Sequence, residues 1–168
     1  MNHRPYVMWP DKRLHTPAEE VSDITDDIRA IWDEMILAMD AMPGVGLAAV
    51  QLGIMLRLAV VDGSEERGNA VRLANPEIET ASDELRAHEE GSPNLPGVSA
   101  RLKRPATVTV RYLNERGQSV TREFRGVEAT SAQHQIDHLN GKMYFDHLSK
   151  MKRDMLLRKA RKHATSNG

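Results

Sequence analysis

A chain of 168 residues with 40% hydrophobic and 28% charged content has the length for one core burying about two-thirds of its unfolded surface, and the composition of a globular protein rather than a disordered or fibrous one. A net charge of −1 gives no global electrostatic drive toward nucleic acid, so DNA is not an expected partner. The absence of cysteine excludes disulfides and thiolate ligands, leaving N and O donors for any metal.

Residues Met1 to His15 lack the apolar core of a signal peptide. The longest apolar stretch, Val45 to Val61, is broken by Gln51 and Arg57, so no membrane contact is expected and the cytoplasm is the expected compartment. One domain over residues 1–168 is expected, since no linker or repeat interrupts the chain.

Between Thr25 and Met39, apolar residues at Ile24, Ile28, Ile31, Trp32, Met35 and Met39 follow helical spacing. Thr25 is the N-cap and Asp26 and Asp27 occupy the favoured first turn. Pro43-Gly44 stops this helix, and the glycine-punctuated segment Gly44 to Gln51 leads into a strand at Leu58-Ala59-Val60-Val61. Val71 to Ala74, closed by Asn75-Pro76, reads as a further strand. Thr107 to Tyr112 and Ser119 to Phe124 read as a hairpin turning at Asn114-Glu115-Arg116-Gly117. The Gly/Ser/Pro-rich stretch Gly91 to Gly97 is too short to separate domains. Val127 to Leu139 reads as a central helix ended by Asn140-Gly141, and Ser149 to about Ala164 as a basic helix opened by Ser149. From Ser149 onward seven Lys/Arg face Asp154 alone, a net of +6, which leaves −7 on the remainder. Strands flanking one buried helix predict an α+β fold.

The central helix carries His134-Gln135-Ile136-Asp137-His138. Residues four apart share a helix face, so His134 and His138 are candidate ligands for one ion, as in the HExxH pattern of zinc hydrolases. Surface helices also place histidines at this spacing by chance. In that pattern the glutamate takes a proton from metal-bound water. Gln135 has its length without its basic oxygen.

Three segments together resemble the peptide deformylase family, which removes the formyl group from the N-terminal methionine of nascent chains. Gly44-Val45-Gly46-Leu47-Ala48-Ala49-Val50-Gln51 matches the family's first motif completely. Glu90-Gly91-Ser92-Pro93-Asn94-Leu95-Pro96-Gly97 stands in register with EGCLSxPG, and Gln133-His134-Gln135-Ile136-Asp137-His138-Leu139-Asn140-Gly141 with QHExDHLxG. The resemblance runs from about Val7 into the basic helix and implies a deformylase-like fold with β-strands around the central helix and a C-terminal helix.

In that family a divalent metal, iron or zinc, is held by the second-motif cysteine and the two histidines. The resemblance therefore assigns His134, His138 and Ser92 to the metal, and Gly44, Val45, Gly46, Leu47, Glu90 and Gly91 to the substrate cleft. A serine hydroxyl is a far poorer ligand than a thiolate, so the metal is expected to be weak or absent. The oxyanion donors would be the Gln51 side chain and the backbone N–H of residue 93, but Pro93 has no N–H. Gln135 replaces the general base. Base loss costs about 10² to 10⁴ in rate and one oxyanion donor ~10² to 10³. Together these suggest roughly 10⁴ to 10⁷, or about 5 to 10 kcal/mol, when the terms act independently.

The resemblance further implies a Glu90–Arg104 ion pair that supports the scaffold, with Asp137 beside the site rather than a ligand. Ser99 stands where many relatives have an arginine near the cleft. Tyr144, Phe145 and the methionines read as core. Three functions follow: a deformylase-like protein with hydrolysis of N-formyl-methionyl peptides lost or strongly impaired; an active metal-dependent amidohydrolase with altered ligands; or a ribosome-associated binding protein using the basic helix, whose simpler role is a solvated face.

Overall fold

The structure, a computed structural model, describes residues 3–167. Helix α1 (Asp26–Ala41) begins as its sequence predicts, with Thr25 Oγ1 accepting from Ile28 N–H. Its stripe Ile28, Trp32, Met35 and Met39 is buried against Leu47, Leu58 and Val60. Trp32, Met35 and Met39 are wholly enclosed, and each contributes about 1.5–3 kcal/mol of hydrophobic stabilisation.

Strands β1 (Gly46–Ala48), β2 (Leu58–Val61), β3 (Val71–Ala81), β6 (Thr107–Leu113) and β7 (Ser119–Arg125) form one antiparallel sheet in the order β1-β2-β3-β6-β7. Strands β4 (Leu85–Ser92) and β5 (Leu95–Pro105) form a separate hairpin. Helix α2 (Gly126–Leu139) lies across the large sheet, with Ala129, Ala132 and Ile136 against Val61, Leu73, Val108, Val110 and Phe124. Helix α3 (Lys150–Asn167) packs Leu156 and Ala160 with Leu95, Leu102, Tyr144 and Phe145. This is an α+β fold with a C-terminal helix.

The expected hairpin of β6 and β7 pairs from Thr107 with Arg125 to Leu113 with Ser119. One segment differs from expectation. Strand β3 does not close at Asn75-Pro76 but continues to Ala81. The register with β6 shifts between Ala74 and Glu77, and this bulge accommodates a proline without a ladder N–H. Asn75 takes φ +50° there, and its side chain bonds Val21 N and O, both at 2.8 Å. Gly91 to Gly97 is the tip of a hairpin, with Ser92 paired to Leu95 and Pro93-Asn94 making the turn. Helix α3 opens after Ser149, whose Oγ accepts from Lys152 N–H, and runs past Ala164 to Asn167. No helix among the described residues is long and apolar enough to cross a membrane.

Candidate active site

Ten of the fourteen residues of α2 are buried, including Thr130, Ser131, Gln133, His134, Gln135 and His138. A polar side chain enclosed in this way requires a partner, so each one's hydrogen bonds indicate its role. His134 Nδ1 lies 2.8 Å from Glu90 Oε1. Glu90 in turn receives Arg104 Nε at 2.6 Å and Nη2 at 3.0 Å. Burial acts to raise the Glu90 pKa, but hydrogen bonds from His134 and Arg104 and the guanidinium charge outweigh it and bring it down to about 2. An ionised carboxylate only accepts, so Nδ1 of His134 is the donor to Glu90, and Nε2 is the nitrogen turned away from it.

Nε2 of His134 faces Nε2 of His138 at 3.2 Å. Two nitrogens bound at about 2.0–2.1 Å to a tetrahedral ion stand roughly 3.3 Å apart, so the imidazole pair has the spacing that one metal requires. Burial, followed by the His134 charge, holds the His138 pKa well below the usual imidazole value, which keeps the ring neutral and competent to ligate. Two features weaken the fit. His138 Nδ1 is buried with no hydrogen-bond partner among the described residues, so this ring lacks an orienting acceptor like Glu90. No third His, Cys, Asp or Glu completes a ligand group among the described residues. Ser92, the remaining ligand position expected from the motifs, does not line the cleft beside His134, and its hydroxyl donates to Asn94 Oδ1 at 3.0 Å.

Asp137 sits outside this pair. Its Oδ2 accepts from Arg104 Nη1 at 3.0 Å and lies 2.7 Å from His147 Nε2. Burial acts to raise its pKa, but the His147 bond and the Arg104 charge bring it below the ordinary carboxylate value. The Tyr144 ring is stacked near His134, at 6.1 Å between centroids.

A cleft of about 180 Å³ opens beside His134. Its walls include Gly44, Val45, Gly46, Gln51, Glu90, Gly91, Pro93, His134 and Gln135. The two glycine-bearing motifs therefore meet α2 at one place. Leu47 is not on this wall, because its side chain is enclosed in the α1 core. A Cβ on Gly46 would lie 2.2 Å from Ser131 Oγ and 2.8 Å from Gln135 Nε2, so backbone proximity to α2 requires glycine there. Gln135 Nε2 donates to Ser131 Oγ at 3.3 Å, while buried Gln135 Oε1 has no partner among the described residues. Gln51 Oε1 accepts from Ala48 N–H at 2.9 Å, and its Nε2 donates to Asn94 Oδ1 at 2.7 Å.

The cleft also contains Met42, His88, Val127, Thr130 and Ser131, which motif reading did not single out. Val127, Thr130, Ser131 and His134 recur at helical spacing, so projecting the helix outward from His134 identifies them. His88 comes from the β4–β5 hairpin and has no comparable sequence signal.

The sequence matches the family model described as Polypeptide deformylase over residues 4–154. It is 39% identical to a peptide deformylase of Rhizobium meliloti over 170 aligned positions, covering 100% of this chain and 98% of the relative. With a peptide deformylase of Bartonella henselae it shares 41% identity over 166 positions, covering 98% and 94%. The fold superposes on a crystal structure of peptide deformylase from Legionella pneumophila with a TM-score of 0.91 and 34% identity, covering 98% of this chain and 97% of that one. For peptide deformylase from Ehrlichia chaffeensis in complex with actinonin the TM-score is 0.89 at 36% identity, covering 97% and 98%.

Proposed function

This chain belongs to the polypeptide deformylase family, and we propose that it is a deformylase-like protein with hydrolysis of N-formyl-methionyl peptides strongly impaired, acting in the cytoplasm chiefly by binding. Gln135 carries this reading. Its carboxamide lies on the cleft wall with Nε2 toward Ser131 and a neutral Oε1 that has no partner among the described residues. That oxygen orients or accepts a hydrogen bond, but it does not take a proton from water at neutral pH.

Pro93 supports the same conclusion. It lines the cleft at the hairpin turn and offers no N–H to a developing oxyanion. A divalent metal held by His134 and His138, with Ser92 as the remaining candidate ligand, would polarise a carbonyl and acidify a bound water. Glu90 and Arg104 fix the His134 ring, and Gly44, Val45, Gly46 and Gly91 leave room for a small peptide beside it. The weak third ligand and unoriented His138 favour low metal affinity.

The test is formate release from a formyl-methionyl peptide by the purified chain, supplied anaerobically with iron or zinc, alongside elemental analysis. Substoichiometric metal and no multiple turnover are expected. Stoichiometric metal with sustained turnover would instead establish the altered-ligand amidohydrolase.

A second reading rests on a different surface. A groove of about 980 Å³ between α3 and β5 is lined by Arg101, Lys152, Arg158, Lys159 and Lys162 against Glu89. Such clustering favours an anionic polymer, and ribosomal RNA is the partner this reading proposes.

A further inference from the structure

Asn94 is completely buried at the tip of the β4–β5 hairpin, and its side chain joins three separate segments. Its Nδ2 donates to the Val7 carbonyl and, at 3.1 Å, to the Gln51 carbonyl. Its Oδ1 accepts from Gln51 Nε2 at 2.7 Å and from Ser92 Oγ at 3.0 Å. Backbone bonds reinforce the junction, with Trp9 N–H donating to the Asn94 carbonyl and Val7 N–H to the Gln51 carbonyl, both at 2.9 Å.

The amide orientations are fixed by this network. Gln51 Oε1 accepts from Ala48 N–H, so Gln51 Nε2 turns to Asn94; the two carbonyls already receive Asn94 Nδ2, so Asn94 presents its oxygen. The second Gln51 amide hydrogen is directed toward Ser92 Oγ at 3.4 Å, the long limit of a hydrogen bond. A ligand carbonyl approaching Gln51 therefore competes with the buried bond to Asn94 Oδ1 for one amide hydrogen or with the Ser92 hydroxyl for the other.

We propose that Asn94 is a positioning residue that ties the Gln51 carboxamide and the Ser92 hydroxyl into an internal network, so that neither is free for a carbonyl or an ion in the cleft. It is thus a fourth element of the altered site, acting through Gln51 rather than touching the ligand. This rests on the reading that the cleft admits a formyl-methionyl peptide.

The experiment compares binding of formyl-Met-Ala and Met-Ala to the wild-type chain and to Asn94→Ser by calorimetry. Releasing one amide donor should tighten formyl-Met-Ala about 3- to 10-fold, leave Met-Ala unchanged, and lose its effect in a Gln51→Ala background. Equal tightening of both peptides, no tightening, or persistence without Gln51 would overturn the role of Asn94.

A second measurement does not need ligand binding. In ¹⁵N NMR of the wild-type chain the Gln51 side-chain amide should exchange slowly with water, and at least about tenfold faster in Asn94→Ser or, where that variant folds poorly, Asn94→Thr. Fast exchange in the wild type overturns the proposal. Failure of the functional reading is separate: a chain that binds neither peptide, or turns over formyl-Met-Ala rapidly, refutes that reading while the amide exchange still decides Asn94.

Discussion

Nε2 of His134 and Nε2 of His138 converge to 3.2 Å, one ring held by Glu90 and the other with no orienting partner among the described residues. This asymmetry predicts a site able to take a divalent ion and poor at retaining it. In a zinc titration followed by competition with a chelator, Ser92→Cys should tighten binding by at least about tenfold, because a soft anionic ligand replaces a neutral hydroxyl. His138→Ala should abolish it. Unchanged affinity in Ser92→Cys would place the third ligand elsewhere.

The triple change Ser92→Cys, Pro93→Leu and Gln135→Glu supplies a thiolate, a backbone N–H and a carboxylate together. On the proposed reading formate release should rise from background to measurable multiple turnover, since a general base and an oxyanion donor together are worth roughly 10⁴ or more in rate. A reverted protein that binds metal tightly and remains inert would show that these three positions do not account for the defect.

Arg104 and Glu90 form a buried ion pair, with Arg104 also reaching Asp137 at 3.0 Å. Arg104→Met leaves two carboxylates without their cation and should cost about 3–5 kcal/mol in urea unfolding. Glu90→Leu combined with Arg104→Met should cost less than that, because only Asp137 then loses the guanidinium, and it keeps its contact with His147. Equal losses for both would argue that packing, not charge, sets the penalty.

Asp62 is buried beside the first motif. It accepts from Ser64 N–H and Oγ and from Asn69 N–H, while Arg67, at φ +62°, reaches Asp40 and the Gly44 carbonyl. Burial acts to raise its pKa, but the Ser64 and Asn69 bonds and the Arg67 charge bring it below 3.8. A depressed carboxylate contributes stability above its unfolded value, and this is lost as pH falls through the lower folded value. The melting-temperature gap between the wild type and Asp62→Asn should therefore be full at neutral pH and shrink below about pH 4. A gap that stays constant down to pH 2 would show that Asp62 acts without its charge.

For the basic helix α3, charge reversal at Arg158, Lys159, Arg161 and Lys162 should abolish co-sedimentation with ribosomes, and binding by the wild type should fall steeply with added salt. Arg161 also lies over the Trp9 ring at 5.4 Å, so its single reversal should additionally lower the melting temperature. Salt-independent co-sedimentation would reject the electrostatic reading.

The chain by itself determined the elements whose periodicity reports burial on one face. Thr25 and the stripe through Met39 specify α1, and the β-prone runs around Asn114 to Gly117 specify the β6–β7 hairpin. The three motifs also singled out the His134 and His138 pair and most of the residues of the cleft wall, and residue type alone shows that proline lacks an N–H and glutamine lacks a base. The β4–β5 hairpin was not legible, since its charged strands pair only with each other and show weak apolar alternation.

Tertiary structure decided the remaining features. Pro76 lies inside β3 because a bulge removes the need for its N–H, and Leu47 turns away from the cleft because α1 covers it. The hydrogen-bond directions of Glu90, Asn94 and Gln51 depend on groups 40 or so residues apart in the chain. Such pairings arise only when packing brings buried donors and acceptors together and forces each to find a partner.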